Sequence, residues 1–265
     1  MNPKKSYKLT PEESMEVFHH CQRNDITIIG IGDFGKVVLC KLIKYHKLES
    51  DKNFRSNYVH ISQLDYENMI NCEKITDGIV LDTYFVLIVG DINDPSCLKI
   101  AKKLTNTFKE KFIVGFFAGI DNNFNILGID AMVQLNGNSE KAFLALRLLP
   151  DIYTRCNPIG VDPHDIVSIL KLGRNFKLLD IDVKKSRLST NEKIHIKEAT
   201  GGGGIFAVYG DRDLHMAWVD SIEKAISNDE NGGGCYVFTP IIRPSKYDEL
   251  KTVLLYSEKL ITHLP

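Results

Sequence analysis

The sequence has no apolar run of about 18 residues, the length that a membrane-crossing helix needs. Its N-terminus is polar and lacks the apolar core of a signal peptide. The six cysteines, at 21, 40, 72, 97, 156 and 235, are scattered, and none forms C-x-x-C. His19-His20 and Cys21 sit side by side, a spacing unlike that of metal ligands on a helix. Free thiols in a reducing cytoplasm, and no metal site, are therefore expected. An excess of one charge is also missing. Thirty-three Lys and Arg against 34 Asp and Glu leave a formal net charge of −1. No global field draws nucleic acid or an acidic membrane to such a chain. No Ser-His-Asp or Cys-His arrangement can be traced from residue order.

What is present is ordinary for a soluble globular protein: 43% hydrophobic and 25% charged residues over 265 positions. That length suits one large domain or two small ones. In the first half, apolar stretches alternate with helical patterns. Ile26–Gly30, Tyr58–Ser62, Val80–Val89, Lys111–Phe117 and Ala131–Leu135 read as strands. Helices are expected over Lys36–His46 and from Pro95 to about Asn106, with Asp94 as N-cap of the second. Alternation of this kind predicts βαβ units and a doubly wound parallel sheet. Ser139–Tyr153 reads as a long apolar helix, with Pro150 kinking it or marking a join. A helix should open near Pro163, with Asp162 as N-cap. Beyond it, strands at 176–184, 193–198, 205–209 and 235–242 join helices at 211–227 and 246–260, a small α+β unit. The organisation expected is an N-terminal extension (1–24), a Rossmann-like unit (25–138), a central helix and loop (139–158) and a small α+β domain (159–265).

The stretch ITIIGIGDFGK places Gly30, Gly32 and Gly35 in a G-x-G-x-x-G pattern between strand and helix. Such a turn brings backbone N–H groups and a helix start within reach of phosphate. Lys36 adds a cation, whereas Asp33 opposes phosphate and Phe34 crowds it. For NAD, an acidic residue should end the second strand. The nearest, Asp65, comes a few residues late.

A resemblance adds to these readings. DIYTRCNPIGVDPHDI (151–166) resembles the segment of FtsZ that joins the central helix to the second domain. Phe85–Gly90 with the helix and the KFIVGFF that follow it, residues 210–227, and residues 232–253 are similar to further FtsZ segments, in order, over residues 26–260. The resemblance implies a divergent member of the tubulin/FtsZ superfamily with a Rossmann-like parallel sheet, flanking helices, a central helix and a small α+β domain. It implies head-to-tail assembly with itself or another FtsZ-like subunit. Asp162 and Asp165 would be the carboxylates inserted above a neighbour's nucleotide, where they position the attacking water. It makes GTP or GDP the expected cofactor, with Gly30, Gly32, Gly35, Lys36 and Gly90 as binding residues.

The chain departs from the family on the phosphate side. The family's G-G-G-T-G-T-G loop is replaced by Gly90-Asp-Ile-Asn-Asp-Pro-Ser-Cys97, keeping only Gly90. The base-contacting asparagine of the first loop falls on Val37, and that of the central helix on Ser139. GTP binding is thus expected to be weak or absent, with at best a weak GTPase activity. Membrane association would be indirect. GIGDFGK also resembles loops of potassium-channel regulatory domains. The alternative function is therefore a Rossmann-type module binding NAD or an adenine nucleotide.

Overall fold

The computed structural model describes residues 26–48, 57–61, 85–119, 128–154, 161–182, 203–210, 235–242 and 251–257, together with helical residues at 190–191, 221–222 and 224. Thr10–Gln22, the segment 65–78, Lys193–Glu198 and most of the helix expected over 211–227 lie outside them. The elements are β1 (Ile26–Ile31), α1 (Gly32–Leu48), β2 (Asn57–Ile61), β3 (Phe85–Asp91), α2 (Pro95–Thr107), β4 (Phe112–Ala118), β5 (Ala131–Gln134), α3 (Ser139–Thr154), α4 (Pro163–Gly173), β6 (Asn175–Asp182), β7 (Gly203–Gly210), β8 (Cys235–Ile242) and β9 (Lys251–Ser257).

The strands form one sheet in the order β2-β1-β3-β4-β5-β6-β9-β7-β8. From β2 to β6 every pairing is parallel. Strand β9 is antiparallel to both its neighbours, and β7 and β8 are parallel to each other. Side-chain alternation divides the core. Ile26, Ile28, Leu87, Val89, Val114 and Phe116 pack on the face that α1, α3 and α4 cover. Ile29, Ile31, Val86, Ile88, Ile113 and Phe117 pack on the face covered by α2. Strands buried on both faces read as unbroken apolar runs, which is why FVLIV and FIVGFF are legible as parallel strands.

The helix expected over 246–260 is instead β9. Residues 252–255 are all buried in a strand flanked on both sides. The apolar run Val253–Leu255 is too short to show a period that distinguishes strand from helix, and pairing with β6 and β7 decides for the strand. Gly203 and Gly204, expected within a turn at 201–204, are instead in β7, paired with β8 and β9. Helix α1 begins at Gly32, earlier than Lys36.

Candidate functional site

Strand β1 lies between β2 and β3. The connections leaving β1 and β2 therefore run in opposite directions across the sheet, and the strand order reverses there. In open parallel sheets a crevice forms outside the carboxyl ends at such a switch point. Gly30 to Lys36 and Gly90 to Cys97 lie at that edge.

The glycines of the first turn serve close packing. Gly32 has φ +65°, in the left-handed region, and a Cβ there would stand 2.5 Å from the Cys97 Sγ. A Cβ on Gly35 would stand 2.5 Å from the Val89 carbonyl oxygen. Gly90 is inside β3, paired with Phe117, and its missing side chain makes room for Ile31. Helix α1 follows β1 with no intervening loop. Asp33 and Lys36 are exposed, whereas Phe34 is half-buried against the core and does not lie across the turn.

The second turn is filled by its own acids. Asp91 accepts from the Asn93 backbone N–H at 2.9 Å. Asp94 is the N-cap of α2, accepting from the Ser96 N–H at 2.8 Å and from the Cys97 thiol at 3.4 Å. The Ser96 N–H, aided by the Cys97 thiol, holds the Asp94 carboxyl below its ordinary pKa. Burial, with Asp94 adding to it, pushes the Cys97 thiol up to about 12. The α2 start, where a phosphate would be welcomed, thus already holds a carboxylate.

Helix α1 is tied to α3. The Lys41 ammonium donates to Ser139 Oγ at 3.1 Å and pairs with Glu140. Asn138 is engaged as well: its Oδ1 accepts from the backbone N–H groups of Glu140 (2.9 Å) and Lys141 (3.1 Å), capping α3. Sequence alone did not assign this cap, although an Asn just before a helical pattern is a cap signal. The Lys41 contact spans 98 positions to Ser139 and carries no such local signal. Farther along, Arg147 stacks on the rings of Tyr45 (5.3 Å) and Tyr209 (4.3 Å), joining α1, α3 and β7.

The two candidate carboxylates lie elsewhere. Asp162 is the N-cap of α4, accepting from the His164 N–H at 2.8 Å, with Pro163 opening the helix. Asp165 is in the first turn, and its backbone N–H donates to the Asp162 carbonyl at 3.0 Å. Both side chains are exposed. Helix α3 lies between them along the chain: Ser139 and Glu140 at its start meet Lys41 of α1, and α4 comes after its end. Among the described residues, no hydrogen bond or ion pair links the two sets. Within the same residues, no group of three or more His, Cys, Asp or Glu gathers to hold a metal ion, and no helix is long and apolar enough to cross a membrane.

No protein-family model and no curated protein matches the chain. Solved structures do. An empty FtsZ dimer from M. jannaschii superposes with TM-score 0.68 at 15% identity, over 94% of this chain and 92% of that one. CetZ from Methanosaeta thermophila matches at TM-score 0.61 and 13% identity, over 89% and 87%. CetZ2 from Haloferax volcanii, a GTPγS-bound protofilament, matches at TM-score 0.54 and 10% identity, over 90% and 94%. Such identities establish a shared fold. Sheet order, central helix and coverage of nine-tenths of the chain agree: this chain has the fold of the tubulin/FtsZ superfamily.

Proposed function

We propose that this chain is an FtsZ/tubulin-like cytoskeletal subunit that associates head to tail with itself or with another FtsZ-like subunit, and that it binds and hydrolyses GTP weakly or not at all. The observation that carries the reading is that α3 comes between the glycine turns and Asp162 and Asp165 along the chain. Sixteen helical residues rise about 24 Å. Carboxylates beyond that helix are remote from their own crevice, but a neighbour stacked along the helix axis would bring one set over the other. Asp162 is held by the His164 N–H, which leaves Asp165 as the freer of the pair to face a partner. The relatives of this fold include an FtsZ dimer and a CetZ2 protofilament, which supports assembly along one axis.

Weak nucleotide binding follows from the crevice. Asp33, Asp91 and Asp94 put three carboxylates where a triphosphate would lie, and Asp94 already takes donors from the α2 start. A charge-assisted hydrogen bond contributes about 1.5–3 kcal/mol. Losing three of them removes roughly 4.5–9 kcal/mol, comparable with the whole ~8 kcal/mol of a micromolar complex. Assembly would then proceed without nucleotide, in the cytoplasm, reaching membranes only through a partner.

Sedimentation and negative-stain microscopy of the purified chain, with and without GTP, test the reading. Longitudinal dimers or filaments that ignore GTP are expected. A monomer at every concentration overturns the assembly claim. Tight GTP or GDP binding in an isothermal titration overturns the nucleotide claim.

A further inference from the structure

Helix α1 turns a basic face outward. Lys36, Cys40 and Lys44 stand four residues apart, so they share one face, with Val37 beside them, and all four are exposed. The ammonium groups of Lys36 and Lys44 take part in no hydrogen bond or ion pair among the described residues. Lys41, by contrast, is taken up by Ser139 and Glu140. Asp33 is the acid at the head of this face. Among the described residues Val37, at 46%, is the one exposed large apolar side chain.

The start of α4 has the complementary charge. Asp162 and Asp165 are exposed, and Lys171, the first Lys or Arg of that helix, comes six residues after Asp165. Within one chain the two surfaces lie over different strands: α1 packs on β1, β2 and β3, and α4 packs on β5, β7 and β8. Among the described residues, neither Lys36 nor Lys44 pairs with either carboxylate. The crevice is a poor seat for an incoming acid, since Asp91 and Asp94 lie there. Complementary charge therefore directs the α4 start of another copy to the outward face of α1.

We propose that the exposed face of α1 seats the first turn of α4 from a second copy, with Asp165 between Lys36 and Lys44, and Val37 and Cys40 beneath it. The two lysines are eight residues apart. That places their backbones about 12 Å apart along the helix, and each ammonium rides on a flexible four-carbon stem, so both reach inward to the carboxylates. The two surfaces differ, so the contact is head to tail and repeats from copy to copy. The inference rests on the head-to-tail reading above and names its acceptor.

Cross-linking tests the position. In His164→Cys, mild oxidation of the assembled chain should give a covalent dimer whose disulfide joins Cys40 of one copy to the new thiol of the next, identified by mass spectrometry. Sedimentation tests the charges. Lys36→Glu, Lys44→Glu and Asp165→Lys should each raise the concentration for half-assembly about tenfold. Lys36→Glu/Asp165→Lys should assemble better than either single variant. Lys109→Glu, an equal change at an exposed side chain off this face, should leave assembly unaltered. Circular dichroism checks that the variants are folded; the side chains changed are all exposed. Assembly without the Cys40 link, assembly indifferent to Lys36→Glu, or equal harm from Lys109→Glu overturns this pairing and leaves the head-to-tail reading standing. No assembly at all overturns both.

Discussion

Helices α2 and α4 open in the same way but differ in what their fourth residue meets. One begins Asp94-Pro-Ser-Cys97, the other Asp162-Pro-His-Asp165. In each, the aspartate accepts from the N–H two residues on, at 2.8 Å, and the proline takes the first helical position. The difference is the fourth residue. Cys97 is buried, presses on Gly32 and donates its thiol to the capping carboxylate. Asp165 is exposed and adds a second charge. An Asp-Pro cap is therefore a structural device in both places. What the helix start can offer another molecule is set three residues later.

Five tests would break or sharpen this contrast. The largest effect is expected on the closed side. Gly32→Ala must drive Cβ against Cys97 and hold alanine at φ +65°, which together cost about 3 kcal/mol in urea unfolding. Loss of the caps comes next. Asp94→Ala should cost about 2 kcal/mol, because a buried thiol loses its acceptor along with the helix start. Asp162→Ala should cost about 1 kcal/mol. Equal losses would show that the Cys97 contact adds nothing.

Asp165→Ala should change stability by no more than about 0.5 kcal/mol, as an exposed first-turn residue. It should nevertheless lower the sedimenting fraction, and an unchanged fraction would place the interface elsewhere. The smallest effects concern titration. The Cys97 thiol, at about 12 in the folded chain against an ordinary 9.0, keeps its proton in both states below pH 9. Between pH 9 and 12 only the unfolded chain gives it up readily, so stability falls as pH rises through that window, and Cys97→Ala should flatten the fall. Asp94 has the opposite sign. Its lowered pKa contributes stability above the ordinary 3.8, lost as pH falls through the folded value. Iodoacetamide at pH 8, read residue by residue by mass spectrometry, should label exposed Cys40 well before Cys97.

Much of this was legible in the sequence, for reasons that are local. Asp94 and Asp162 announce their helices because cap, proline and helix lie within five residues. The strands around FVLIV and FIVGFF announce themselves by being apolar on both faces. The glycine turn was legible as a turn but not in its purpose. Cys97 and Val89, which crowd Gly32 and Gly35, arrive from other elements. The same is true of Lys41 on Ser139 and of β9, whose identity depends on two partner strands. Position within one segment was readable, and contacts between distant segments were not.

The place of β9 has a consequence for how the chain comes into being. Among the described strands, β9 alone lies between β6 and β7. Strands β1 to β6 can pair in the order in which they leave the ribosome, and β7 can meet β8. The two pieces are joined once residues 251–257 are made, because β9, the last of the described strands, pairs with both. Until that moment both pieces carry an open strand edge, and an open edge invites pairing with another chain. The interval before the keystone arrives is therefore the time at which a nascent copy is most easily captured by a second one.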